Sequence, residues 1–339
     1  MRRKPLVLSR ATPARQAALL LWLVGASAAF ATTEEEINRR FAVQPGGTLV
    51  VEVDLGSVKV STNGTSEVVV DVWRKVKRRK KADEEAFLKA NTVQFGQEGR
   101  TVTIRAQPEN GGNRSSFWSR PNETDARYTI TVPAQFAVQL KTGGGGIMVD
   151  DVAGDVNAHT GGGGLNLARV HGALIGNTGG GDIRESDCEG AIKLNTGGGG
   201  IHVSGGSGSL DLRSGGGNVS AKNFDGSARL DTGGGEVAVE HVTGEVSGNS
   251  GGGSIHAVLL SEVAGDVKLS TGGGGITVSI PTTAAFNLDA KTDGGSVSTE
   301  LPVTVVGKME EGRLEGTVKG GGKSVVLRSG GGNIHLKKL

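Results

Sequence analysis

One interval governs the sequence. A Thr or Ser followed by glycines recurs, with the glycine runs starting at Gly143, Gly161, Gly179, Gly197, Gly215, Gly233 and Gly251, each 18 residues after the last. A chain that repeats at so short a spacing is made of units that cannot bury their own apolar faces. Such units must stack on their neighbours.

Aligned on those glycines, the units show what each contributes. The fifth residue is aliphatic throughout: Ile147, Leu165, Ile183, Ile201, Val219, Val237 and Ile255, continued by Ile276. Two places later come Val149, Leu167, Glu185, Val203, Ala221, Val239 and Ala257, and the residues between are mostly polar. This period of two marks a strand with one buried face. Nine residues after the first column runs a second, Val156, Leu174, Ile192, Leu210, Ala228 and Val246, so each unit holds two short strands. A single glycine recurs between them (Gly154, Gly172, Gly190, Gly208, Gly226, Gly244), where a tight reversal calls for positive φ. An apolar column that includes Cys188 lies just before it.

Stacked ~4.8 Å apart, such units make an all-β fold: a single-stranded parallel β-helix, or β-solenoid, with 18-residue coils. Eight or nine coils give a rod of roughly 40 Å. The Thr and Ser residues before the glycines then line up at one corner, where their hydroxyls reach the adjacent coil or the glycine backbone. A left-handed hexapeptide helix would need apolar residues six and twelve places after the first column, and those columns are nearly all polar. The calcium-binding nonapeptide roll would need Asp where this chain has glycine, as at Gly145 and Gly154.

The flanks read differently. Basic Met1-Arg2-Arg3-Lys4, an apolar stretch from Ala17 to Ala29 and the small residues of Ala29-Phe30-Ala31 fit a signal peptide cleaved after Ala31. The apolar run is too short to span a bilayer, so no integral membrane segment is expected after cleavage. The remainder holds 32 Lys and Arg against 35 Asp and Glu, a balance that gives no reason to expect nucleic acid. One cysteine excludes an intramolecular disulfide framework. The expected organisation is a signal peptide over 1–31, a β-rich N-terminal cap over 32–141, the solenoid over 142–300 and closing coils over 301–339. Within the cap, strands are expected at Thr48–Asp54, Val68–Trp73, Arg100–Ala106 and Arg127–Val132, a helix at Ala82–Ala90, and a mobile loop at Gln107–Asp125.

Pro45-Gly46-Gly47 before the first strand, Tyr128-Thr129-Ile130-Thr131-Val132-Pro133 leading into Leu140-Lys141-Thr142-Gly143-Gly144, the repeated Thr-Gly-Gly-Gly, and Gly316-Thr317-Val318-Lys319-Gly320-Gly321-Gly322 carry a resemblance. Over about Phe41 to Leu339 the chain resembles the DUF4097 family of exported bacterial β-strand-repeat proteins. The resemblance implies a β-helical fold and an adhesin label that rests on architecture. It brings no catalytic residues with it.

The chemistry-bearing residues are few. Gly322-Lys323-Ser324 lacks the first glycine of a phosphate loop, so no nucleotide is expected. The six histidines fall in columns that do not converge, so no metal or other cofactor is expected. Asp150, Asp151 and Asp155, and Asp182, Glu185 and Asp187, are acidic clusters in non-coincident columns, which makes a polysaccharide-acting β-helix enzyme the weakest reading. The one concentration of charge is Arg74-Lys75-Val76-Lys77-Arg78-Arg79-Lys80-Lys81 after Trp73, with Trp118 and Arg120 as a second basic-aromatic patch. These residues are candidates for holding an anionic surface polymer such as lipopolysaccharide, acidic glycan or DNA. The sequence thus points to a non-enzymatic exported protein, in the periplasm, at the cell surface or outside the cell. It acts either as an adhesin-like interaction module or as an envelope scaffold or sensor bound to another protein.

Overall fold

The computed structural model describes residues 32–64, 66–106, 124–260, 264–305 and 312–339. The expected signal peptide, most of the expected loop at Gln107–Asp125, and with it Trp118 and Arg120, lie outside them.

The two strand columns of the repeat become two long sheets of 14 strands each. Ile147–Asp150, Leu165–Ala168, Ile183–Ser186 and their successors stack in parallel in the first sheet, and Val156–Thr160, Leu174–Thr178 and Glu189–Thr196 in the second. Register is in steps of 18, so Leu165 sits between Ile147 and Ile183 and every aliphatic column is continuous along the rod. Both columns, and the one holding Val152, Val170, Cys188, Phe224 and Val242, are buried and form one uninterrupted core. Fourteen strands per sheet make a rod of about 60 Å, longer than the repeats alone imply.

The extra length comes from the N-terminal region, whose strands extend both sheets, partly as further coils and partly in antiparallel pairing. They are β1 (Thr32–Ala42), β2 (Gly47–Val53), β3 (Ser57–Asn63), β4 (Glu67–Lys77), β5 (Gln94–Glu98), β6 (Thr101–Ala106), β7 (Thr124–Pro133), β8 (Phe136–Thr142) and β9 (Ile147–Asp150), with helix α1 (Lys81–Ala90) after β4. The β2/β3 coil lies between the β8/β9 coil and the β6/β7 coil, although it precedes both in sequence. Beyond β7 the first sheet turns antiparallel, through β4 to β1.

The opposite end repeats this device and corrects an expectation. The unit around Ser329-Gly330-Gly331-Gly332 does not close the rod. Its strands Lys323–Ser329 and Ile334–Lys338 slot between the coil of Val267–Ile280 and the coil of Phe286–Thr299. The reason is composition: Val325, Leu327, Ile334 and Leu336 are all buried and make a complete repeat that needs a neighbour on both sides. Val297–Thr299 is only half-buried and suits the last position in its sheet, while Arg313–Val318 covers the other sheet in antiparallel pairing.

The corner ladder is regular. The hydroxyls of Thr160, Thr178, Thr196, Ser214, Thr232 and Ser250 each donate to the carbonyl of the third glycine of the preceding coil, at 2.7–2.9 Å. Each also accepts the N–H of the third glycine of its own coil, at 2.8–3.2 Å. Close stacking explains the glycines better than backbone conformation does. A Cβ on Gly199 would lie 2.1 Å from the carbonyl oxygen of Gly181, whereas one on the neighbouring Gly198 would meet nothing within 4 Å. The single glycines between strands take positive φ at Gly172, Gly190, Gly208 and Gly226 but not at Gly154 or Gly244, where approach to the previous coil is the shared constraint. The left-handed conformation also falls on Asp151, Arg169, Asp187, Asn223 and His241, three residues before the glycines where it was expected.

Candidate functional site

Along the repeats, several outward side chains engage one another or the backbone of an adjacent coil. Arg169 pairs with Asp150 and, at 2.6 Å, with Asp151, and Asp155 accepts the Ala173 N–H at 3.0 Å. Asp182 accepts the Gly200 N–H and the Arg184 guanidinium, which together hold its carboxyl below the usual range. Glu185 points into the core instead. The two acidic clusters therefore do not converge on a shared centre. His171, His202, His241, His256 and His335 each bond to a neighbouring coil, through Glu189, Ser220, Asn223, Glu236 and Ser298. Among the described residues, no group of three or more His, Cys, Asp or Glu could hold a metal ion. Gly322-Lys323-Ser324 opens a strand rather than a helix.

The N-terminal end of the first sheet is different. In β4 the even-numbered residues Val68, Val70, Val72, Arg74 and Val76 are buried, and the odd-numbered ones face outward. This alternation splits the basic run. Arg74 points inward, where its guanidinium is bound by Glu35 of β1 and by the Asn91 carbonyl at the end of α1, so it is structural rather than ligand-facing. Trp73, Lys75 and Lys77 share the outer face. Lys75 pairs with Glu34 at 2.9 Å, and Trp73 Nε1 donates to the same carboxylate at 3.3 Å. Lys75 first, then Trp73, holds the Glu34 carboxyl low.

Past the strand, the Arg78 guanidinium lies 4.7 Å from the Phe87 ring centre and donates to Thr124, while its backbone N–H donates to Glu84 at 2.8 Å. Glu84 is buried in α1 and also accepts the Thr33 hydroxyl at 2.6 Å, so α1 is tied to both strands of the β1/β4 pair at one end. Arg79, Lys80 and Lys81 are exposed at the β4/α1 connection, Lys81 within 4.0 Å of Glu85.

Antiparallel pairing adds residues that were not candidates from the sequence. Glu36 of β1 stands opposite Trp73, and Trp73 opposite Arg127 of β7. Asn38, Asp71 and Thr129 form the adjoining row. The Arg127 guanidinium lies 4.7 Å from the Trp73 ring centre. These side chains line a depression of about 590 Å³ on the outer face of the sheet. The alternation in β4 puts Asp71 and Trp73 on one face and is visible in the sequence. The partners from β1 and β7 depend on an antiparallel register that is not.

The profile of the Toastrack DUF4097 family matches residues 48–337. Among solved structures, a candidate adhesin from Bacteroides fragilis is 13% identical, with 90% of this chain and 97% of that one covered and a TM-score of 0.25. A candidate adhesin from Parabacteroides distasonis is 13% identical over 89% and 97% of the two chains, with a TM-score of 0.36. A candidate lipid-binding protein from the same species is 12% identical over 88% and 96%, also with a TM-score of 0.36. No curated protein matches the sequence.

Proposed function

The chain belongs to the Toastrack DUF4097 family, and we propose that it is an exported, non-enzymatic surface-interaction module of adhesin type that holds an anionic surface glycan at the N-terminal end of its first sheet. The observation that carries this reading is the alternation of Trp73, Lys75 and Lys77 on the outer face of β4, beside the depression that Trp73 and Arg127 line. An indole presents a flat apolar face to a sugar ring. Arg127, Asn38 and Asp71 supply hydroxyl-binding groups next to it, and the ammonium groups further along the strand attract acidic substituents.

The test is binding of the purified protein to acidic and neutral glycans over a salt series. Trp73→Ala is expected to weaken binding to both by about tenfold. Joint substitution of Lys77, Arg79 and Lys80 by Gln is expected to remove the salt dependence for acidic glycans alone. Unchanged, salt-insensitive binding in both variants would sink the reading.

A second reading, a periplasmic scaffold or sensor that holds another envelope protein, is favoured by the long β1 edge. Protection of the protein from protease added to intact cells would support it over adhesion.

A further inference from the structure

Among the described residues, four strands stand at sheet edges: β1 with 11 residues, β5 with 5, Val297–Thr299 with 3 and Arg313–Val318 with 6. An uncovered edge offers unpaired backbone N–H and C=O groups to another strand, and proteins keep such edges short or load them with charge. β1 is the longest of the four, about 37 Å at ~3.4 Å per residue. Its charge is also ordered. From Glu34 to Arg40 it reads Glu-Glu-Glu-Ile-Asn-Arg-Arg, acidic before Ile37 and basic after it.

We propose that two copies of this chain join edge to edge along β1, antiparallel, about a two-fold axis through Ile37. An antiparallel pair centred there sets Glu34 opposite Arg40, Glu35 opposite Arg39 and Glu36 opposite Asn38, twice over by symmetry. Because the axis is perpendicular to the sheet, each side chain meets its mate on the same face. Glu35 and Ile37 lie on the inward side, with Glu35 against Arg74, and Glu34 and Arg40 lie on the outward side. Opposite charges directly across a strand pair stabilise it, and like charges oppose it.

The charge order therefore selects this pairing over its neighbours. Moving the axis by one residue toward the N-terminus sets Glu36 against Glu36, and an in-register parallel pairing sets every charge against its like. The groups are also available where they are needed. The Arg40 side chain is 68% exposed and only loosely paired, 3.9 Å from Glu67, and the carboxylate of Glu34 keeps acceptor capacity beyond its bonds to Lys75 and Trp73. The joined edges would run the two first sheets on as one, with the Trp73 depressions of both copies beside the axis.

The test uses two single variants, Glu34→Arg and Arg40→Glu, each on the outward face and remote from the core. The wild-type protein is expected to sediment as a dimer whose dissociation constant rises with salt. Each variant alone sets like charges opposite each other twice and is expected to dimerise about tenfold more weakly or worse. In an equimolar mixture the arginine introduced in the first variant faces the glutamate introduced in the second, while the native Arg40 of the first faces the native Glu34 of the second. Both contacts are again between opposite charges, so the mixture is expected to form a heterodimer of near wild-type affinity. Circular dichroism melting of each variant confirms that it is folded. A monomeric wild type at ~100 µM, dimerisation unaffected by either reversal, or a mixture no tighter than its components would overturn the proposal.

Discussion

The hydroxyl of Thr196 donates to the carbonyl of Gly181 in the preceding coil at 2.9 Å and accepts the N–H of Gly199 in its own coil at 3.1 Å. One buried atom thus satisfies two backbone groups at a corner where the two sheets have already parted. Thr196→Val keeps the shape and removes both bonds, and is expected to destabilise the rod by about 1–3 kcal/mol. Thr196→Ser should cost less, since Ser214 and Ser250 make the same pair of bonds. Chemical denaturation of the two variants side by side checks the difference.

Adjacent glycines should respond in opposite ways. Gly199→Ala places a Cβ against the backbone of Gly181, and is expected to destabilise by about 3 kcal/mol or more, because backbone on both coils must shift. Gly198→Ala, at the next residue along the chain, meets only open space and is expected to fall within about 0.5 kcal/mol of the wild type. Equal effects would show that chain entropy, and not coil spacing, sets the glycine run.

Glu185 is the one charge in an otherwise aliphatic column. It is 3% exposed, its Oε1 accepts the Cys188 N–H at 2.8 Å, and its Oε2 has no partner among the described residues. Burial pushes its carboxyl up to about 7 from an ordinary 4.5. Below pH 4.5 the group is protonated whether folded or unfolded and has no net effect. As pH rises from there to about 7 the unfolded chain ionises first, so stability falls, by about 3 kcal/mol in all, and then levels off. Glu185→Gln is expected to flatten that slope and to be the more stable protein at about pH 8. Thermal melts from about pH 4 to about pH 8 read both effects.

Cys188 lies beside it, buried in the column of Val152, Val170, Phe224 and Val242, and burial raises its thiol. A maleimide reagent is expected to modify it slowly in the native protein and at the rate of a free thiol in denaturant. Rapid modification under native conditions would mean that the rod opens locally at this coil.

How far the sequence foretold this can be traced through particular residues. The columns of Ile147 and Val156, the Thr corner, the buried role of Cys188 and the helix near Ala82–Ala90 all followed from local periodicity, and the structure has them in place. Arg74 did not follow. In the sequence it is one of seven cations in a run of eight residues, and only the alternation of β4 together with the position of Glu35 on β1 turns it into a buried, paired group. The order of the coils at the two ends was equally hidden. Strand pattern tells that Val325 and Leu327 belong to a coil but not which coils lie above and below it, because every coil offers the same apolar face and the same hydroxyl ladder. The lining of the Trp73 depression depends on antiparallel register, which local pattern does not encode.

The out-of-order coils bear on how a protein of this kind can change length. A stack laid down in sequence order could gain or lose units at either tip. Here each tip is a fixed fitting: the β2/β3 coil is held between later segments, and the 323–338 segment between earlier ones. Between Gly143 and Ser250, however, coils follow one another in order with interchangeable registers. Whole 18-residue units can be duplicated or deleted there while every remaining coil keeps equivalent neighbours. The middle is an adjustable spacer, and the distance between the two finished ends is the property that duplication of the repeat would tune.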